Sequence, residues 1–392
     1  MAAELLLNPF PVYAQMRQYS PVLFQPDQGV WLIYRYQDVK AILNDHTHFS
    51  NRPVMEMPAE RSLAESINTM DPPRHTQLRA LVSKAFSPKA IADMEEQITQ
   101  VAHELLDQVI ESGEMDLIAD FAVPLPVRVI ADMMAIPYAR REEFKQWSQH
   151  LVESVESLVN GDFSPKPEIE ASMAAMNAYF AQLAKERAER PGPDLVSRLA
   201  TAEVDGERLS DQEVIASCIL LMVAGNETTT NLLGNGMLSL LEHPDQLALL
   251  RLNPALMPSA VEEMLRFRSP SQAILRACAA DAEIGGYTIK AGQRVLAFVG
   301  SANRDESVFA DPDRLDITRN PNPHIAFGHG IHFCLGAVLA RLEGRIGFTA
   351  LLERLQNVQR ADSAPLTPIP STLVHGVRSL KLRFTPGSRR LS

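Results

Sequence analysis

Residues 209–244, LSDQEVIASCILLMVAGNETTTNLLGNGMLSLLEHP, keep a helical period from end to end. About 32 helical residues would span about 48 Å, far beyond the usual helix. Ser210 and Glu213 form a capping-box pattern at its start, and His243-Pro244 closes it. Apolar residues occupy every face over 215–224, so the centre is expected to be buried on all sides. Into that centre fall Ala224, Gly225, Asn226, Glu227, Thr228, Thr229 and Thr230. A mid-helix glycine costs about 1 kcal/mol relative to alanine. A buried glutamate is expensive unless partnered. Threonine hydroxyls can bond the carbonyl one turn back and bend a helix. Two readings follow. Gly225 permits close helix packing while the threonines cap a break; or Gly225 leaves room for a flat ligand, with Glu227 and Thr228 as an acid and an alcohol able to deliver protons.

A second unusual stretch is AFGHGIHFCLG, residues 326–336. Apolar residues at 335, 338, 339, 342 and 346 predict a helix directly after it, so Cys334 sits near a helix N-terminus. There, free N–H groups and the helix dipole favour thiolate over thiol. Three chemistries compete. Zinc needs four ligands; His329, His332 and Cys334 offer three, closely spaced, with no second cluster. A nucleophilic cysteine needs a base and an orienting third group; His332 is near, but nothing marks an oxyanion hole. A thiolate ligand to haem iron uses every feature: glycines for a close approach, the dipole for the sulfur, and Phe327 and Phe333 as a shield.

Between these motifs the chain is helical in period from about 74 to 268 and again over 334–356, with prolines at the breaks. Strand patterns appear over 20–36, 282–300 and 372–384, the middle one turning at Gly285-Gly286. The expected fold is mainly α with small β-sheets, one body over residues 1–392. Three cysteines exclude a disulfide framework and fit a reducing, cytoplasmic setting. No stretch approaches the ~20 apolar residues of a membrane span. The N-terminus lacks the basic start of a signal peptide. A net charge of −11 argues against a nucleic-acid partner.

The ten residues Phe327-Gly328-His329-Gly330-Ile331-His332-Phe333-Cys334-Leu335-Gly336 resemble the cysteine loop of the cytochrome P450 family, the bacterial soluble haem-thiolate monooxygenases. The likeness runs along nearly the whole chain. It is close to the group acting on polyketides, macrolides, fatty acids and terpenoids. Ala224-Gly225-Asn226-Glu227-Thr228-Thr229 is similar to the family's distal-helix motif, and Glu263 and Arg266 to its Glu-x-x-Arg helix.

The resemblance implies a triangular, helix-rich fold with haem b between the long distal helix and the cysteine-bearing helix. It makes Cys334 the axial iron ligand, whose electron donation favours O–O cleavage. Glu227 and Thr228 become the proton-delivering pair, and Ala224, Gly225, Phe327, Gly328 and Gly336 lie against the macrocycle. His75 and Arg79 in DPPRHTQLR, Arg276 in LRACAAD, and His332 are carried over as propionate contacts. Leu220, Val223, Ala224, Gln272, Ala273, Ile274, Leu373 and Val374 are expected to line the substrate pocket. Segments 52–68 and 155–172 are expected to form a lid, with Met55, Met57, Leu158 and Val159 as contacts. The buried Glu263–Arg266 pair is expected to gain a third member, Arg314 or Arg319. Near the C-terminus His375-Gly376-Val377 departs from the family's Arg-Gly-Leu.

The implied reaction is dioxygen-dependent hydroxylation or epoxidation of a hydrophobic small molecule by a monomer. Electrons would come from a ferredoxin and its reductase, with Arg74, Arg79, Lys84, Arg341 and Arg345 as docking cations. A peroxide-driven enzyme of the same fold is the nearer alternative, and the Glu227-Thr228 pair argues against it. A haem-based sensor or binding protein is the farther one.

Overall fold

A computed structural model of the chain describes residues 3–52, 66–86, 88–159, 164, 166–204 and 206–390. Met55 and Met57 lie outside the described residues, as do the side chains of Leu158 and Val159.

Asp211–Glu242 form one uninterrupted α-helix of 32 residues. Its start is the capping box read from the sequence: the Ser210 N–H donates to Glu213 Oε2 at 2.9 Å, and the Glu213 N–H to Ser210 Oγ at 3.2 Å. Helicity persists through 224–230, so the threonines cap no break. Two of them bond outside their own helix. Thr230 Oγ1 donates to the Ala122 carbonyl at 3.0 Å, and Thr229 hydrogen-bonds Glu343.

The described chain divides into two compact units, and the division falls inside this helix between Glu227 and Thr228. The first unit comprises Met1–Ser50, Met94–Leu125 and Thr228–Ser392. Its main sheet has five strands in the order Val22–Gln25, Val30–Ile33, Arg294–Ala297, Ile274–Cys278 and Phe49–Ser50. Only the contact between Arg294–Ala297 and Val30–Ile33 is parallel. Strand alternation sorts its side chains: Trp31 and Ile33 enter one apolar cluster with Val39, Ile42 and Val295, while Val30 and Leu32 enter another with Phe10, Tyr13 and Phe298. Both faces are thereby covered, which explains the unbroken VWLI run.

The sequence pattern places the second β region too late. Ile274–Cys278 is already a strand, although Arg276 interrupts its apolar run. The hairpin Ala282–Ile284 and Tyr287–Ile289 turns at Gly285-Gly286 as read, with φ of +57° and +84°. Near the C-terminus only Lys381–Thr385 is a strand, flanked by Gln356–Arg360 and Glu114–Asp116; residues 372–378 make isolated bridges instead.

The second unit comprises Asn51–Asp93 and Pro126–Glu227 and holds the helices Arg74–Ala85, Arg141–Val159, Pro167–Glu189 and Leu195–Thr201. Phe144 and Phe180 pack edge to face at 6.5 Å between the two longest of these. Asp194 caps the last, accepting from the Ser197 N–H at 2.9 Å. Arg74 Nε donates to Glu213 Oε1 at 2.7 Å, tying Arg74–Ala85 to the start of the long helix.

Candidate functional site

The cysteine loop is built before its helix begins. The Cys334 N–H donates to the Phe327 carbonyl at 2.9 Å, closing the loop on itself. The helix is Ala337–Arg354 with Gly336 at its N-cap, so Cys334 precedes it by three residues. The Ala337 N–H reaches back to the Cys334 carbonyl at 3.4 Å. Gly330 has φ +71°, and a Cβ there would run into the backbone of Leu43 and Asn44; only glycine fits.

Of the three cysteines, Cys334 alone is exposed. Cys218 is buried, and burial first, with Asp194 second, pushes its thiol up to about 12. Cys278 is buried too, raised by burial, and its thiol donates to the Ala280 carbonyl at 3.0 Å. Around Cys334 the surface is apolar: Phe333 is 39% exposed and Val338 46%.

The long helix offers a second opening. Along its centre Leu220, Val223, Ala224, Glu227 and Thr228 are exposed or half-buried, as are Gly225 and Thr230, while Cys218, Ile219, Leu221, Met222, Asn226 and Thr229 are buried. The first five follow i, i+3, i+4, i+7, i+8 spacing and so form a stripe on one helix face. Gly225 lies off that stripe. A Cβ there would come 3.1 Å from Ile130 Cδ1, so one side of the glycine is closely packed.

The segment 303–322, which precedes the cysteine loop, is anchored by the Glu263–Arg266 pair, both side chains fully buried on the helix Met257–Phe267. Arg266 Nε and Nη2 grip both carboxylate oxygens at 2.8 Å. Arg266 also donates to the carbonyls of Asn303 at 3.0 Å, Pro312 at 2.8 Å and Arg314 at 3.2 Å. The third member is Arg319, whose Nε lies 3.2 Å from Glu263 Oε2; Arg314 contributes only its carbonyl. The Asp316 N–H and Asn322 Nδ2 complete the carboxylate's shell at 2.9 and 3.2 Å. The neighbouring Glu262 binds Arg341 Nε at 2.7 Å and His324 Nε2 at 3.0 Å. Burial alone would raise its carboxyl, yet these partners hold it down at about 2. Arg341 therefore links the cysteine helix to Met257–Phe267 and stacks over Phe327, 4.5 Å from the ring centroid.

In the first unit the Gln272 N–H donates to the Leu373 carbonyl at 2.7 Å and Ser271 bridges Val374, bringing 271–274 beside 373–374. Gln272 is 2% exposed; its Nε2 donates to the Ser269 carbonyl at 2.7 Å and its amide packs on Gly300. Its side chain belongs to the interior. Ala273 and Leu373 join the Phe10–Tyr13 cluster, and Ile274 packs on the other. Arg276 is buried on its strand, and His332 lies half-buried in the short turn Gly330–His332. In the second unit His75 is buried on Arg74–Ala85 with Arg79 one turn on, half-buried.

Glu343 was missed by the sequence reading. It is a lone acid among the apolar positions 339, 342 and 346 of the cysteine helix, and it is buried there. Burial raises its carboxyl to about 8, against a lowering hydrogen bond from Thr229. The folded state thus holds a proton that the unfolded chain releases near the ordinary carboxylate value of about 4.3. That contribution is complete below pH ~4 and is lost as pH rises through about 8. Relative to Glu343→Gln, the wild type is expected to lose about 1.4 kcal/mol per pH unit within that window. Urea midpoints of both proteins at pH 5, 6.5 and 8 measure it; a pH-independent difference rejects the assignment.

These features fit a haem-thiolate site. One thiol, that of Cys334, is exposed beside apolar surface, and the long helix shows an aliphatic stripe ending in an acid and an alcohol. Among the described residues no three His, Cys, Asp or Glu side chains come together to hold a bare ion. The family model for cytochrome P450 matches residues 13–253 and 253–383. The chain belongs to the cytochrome P450 family. It is 44% identical over 382 residues to the putative cytochrome P450 YjiB of Bacillus subtilis, covering 96% of this chain and 94% of that one. The solved structure of CYP109Q5 from Chondromyces apiculatus matches with a TM-score of 0.91 at 41% identity, over 99% and 98% of the two chains. CYP109E1 from Bacillus megaterium, solved in complex with testosterone, matches with a TM-score of 0.87 at 38% identity, over 96% and 99%. This P450 is accordingly a haem b-dependent monooxygenase of a hydrophobic small molecule, mainly α with small sheets. Among the described residues no helix is long and apolar enough to cross a membrane.

Proposed function

We propose that Cys334 ligates the haem iron, that Glu227 and Thr228 deliver protons on the opposite side, and that the substrate is a rigid, largely apolar molecule of steroid or macrolide size. The observation that carries this reading is the exposure of Cys334 alone among the cysteines. Haem b, when bound, supplies the iron at which dioxygen is activated by two electrons. Cys334 holds the iron through a thiolate, favoured by its place before the helix Ala337–Arg354. His75, Arg79, Arg276 and His332 hold the propionates, cations and N–H donors against two carboxylates. Phe327, Gly328 and Gly336 lie against the macrocycle from the cysteine side, and Ala224 and Gly225 from the other.

Thr228 Oγ1 would hold a proton at that face of the group, and the Glu227 carboxyl would resupply it. The pair is adjacent in sequence at the end of the helix's open stripe, which supports a relay. Leu220, Val223 and Ala224 on that stripe, with Ile274, Leu373 and Val374, form the apolar wall that orients the substrate and excludes water. The testosterone complex of CYP109E1 makes steroids the first compounds to try. Gln272 and Ala273 support this wall from behind.

The electron donor is a ferredoxin with its reductase, working in the cytoplasm. Of the five cations offered as its dock, Arg74 and Arg341 are committed to Glu213 and Glu262, and Lys84 Nζ donates to the Glu203 carbonyl at 2.7 Å. The exposed Arg345 is the better choice. Thr228→Ala is expected to keep consuming reductant while hydrogen peroxide replaces most of the product. The ratio of product to NAD(P)H oxidised, with peroxide assayed in parallel, tests this; an unchanged ratio removes Thr228 from the relay.

A further inference from the structure

The first unit carries a cleft of about 490 Å³ whose lining shares no residue with the haem or substrate assignments. Among its lining residues are three arginines, Arg268, Arg304 and Arg360, and one glutamate, Glu242. Leu7, Leu238 and Leu366 supply apolar wall. The volume is within the range of small-molecule sites.

The three arginines are not equivalent. Arg304 is spent: it is sandwiched between the rings of Phe10 and Phe267, 3.9 and 3.8 Å from their centroids. Its Nε and Nη2 donate to the Phe267 carbonyl, and its Nη1 to Asp313 at 2.7 Å. Arg360 is held by the Ala364 carbonyl and lies 4.0 Å from Asp362. Arg268 is different. Its Nη2 donates to Glu242 Oε2 at 2.7 Å, but Nε and Nη1 are buried and have no acceptor. Each unmet buried donor is costly, and more so on a charged group. His375 records the field behind this wall: its imidazole is held down at about 4, by burial first and by the charge of Arg268 second.

We propose that this cleft binds an aliphatic carboxylate, its head on Arg268 and its chain along the leucines. The carboxylate supplies the acceptors that Arg268 lacks. Glu242, 43% exposed, is the one charge in the wall opposing it.

Equilibrium dialysis of radiolabelled decanoate against the haem-loaded enzyme, with a Soret titration in parallel, tests this. The expected result is one bound decanoate whose binding leaves the Soret band unmoved. Decanol and acetate, lacking head or chain, compete weakly. Arg268→Leu weakens that site about tenfold or more. Glu242→Gln, which removes an exposed like charge, tightens it roughly twofold to fivefold. Equal binding of decanol, or dialysis occupancy that tracks a Soret shift, overturns the proposal. Should Arg268→Leu fail to fold, Glu242→Gln decides, and unchanged affinity there also overturns it.

Discussion

Cys334→His is expected to yield a folded haem protein whose ferrous carbonyl form lacks the strongly red-shifted Soret band, with substrate oxidation at background. The fold survives because the residue is exposed; such surface changes stay within about 0.5 kcal/mol. Function does not survive, because imidazole cannot supply the electron density by which a thiolate drives O–O cleavage. Cys218→Ser and Cys278→Ser are the controls. Both thiols are buried and raised by burial, so both are expected to leave the band in place. Carbonyl difference spectra of the three variants, normalised to haem content, measure this. Persistence of the band in Cys334→His assigns the sulfur to another residue and withdraws the site proposed above.

The parts legible in the sequence were those governed by local rules. Ser210 and Glu213 declared their helix start because the capping box spans one turn. Gly285-Gly286 declared a hairpin for the same reason. The open stripe of the long helix was half legible. Its period was visible, but which face stays uncovered depends on helices far away in sequence. Gly225 shows the ambiguity: the sequence allowed either a ligand or a neighbour, and one close neighbour, Ile130, lies nearly a hundred positions earlier. Arg314 and Arg319 were indistinguishable because both lie in an irregular segment whose course no period describes. Ile274–Cys278 escaped because a buried arginine breaks its apolar run, and that arginine's burial is a tertiary fact. Glu343 and the unmet donors of Arg268 left almost no trace, since one charged letter on an apolar face looks like any surface residue until its neighbours are known.

Arg266→Leu is expected to cost the chain most of its stability. Removing one partner of a buried ion pair typically costs about 3–5 kcal/mol, within a total stability of about 5–15. Here more is lost than the pair. The Arg266 guanidinium alone satisfies the carbonyls of Asn303 and Pro312, shares that of Arg314 with Arg319, and leaves Glu263 with the weaker Arg319 contacts at 3.2 and 3.3 Å. A leucine therefore leaves at least two backbone acceptors unmet in the interior and strips the buried Glu263 of its two shortest charged contacts. The same reasoning separates this pair from buried pairs that apolar isosteres can replace. A Glu263→Leu, Arg266→Leu double variant would still strand those carbonyls, the Asp316 N–H and Arg319, so it is not expected to recover. Arg266→Lys keeps the charge but has three donors on a point-like head in place of a five-donor fork. It is expected to fold with a loss of about 2–3 kcal/mol. Because the clamped segment leads straight into 326–336, haem retention is expected to fall in the same order as stability. Urea midpoints and haem-to-protein ratios of the three variants measure both quantities. An Arg266→Leu protein within 1 kcal/mol of wild type would show that the segment 303–325 finds other acceptors and donors, and that the cysteine loop does not depend on this clamp.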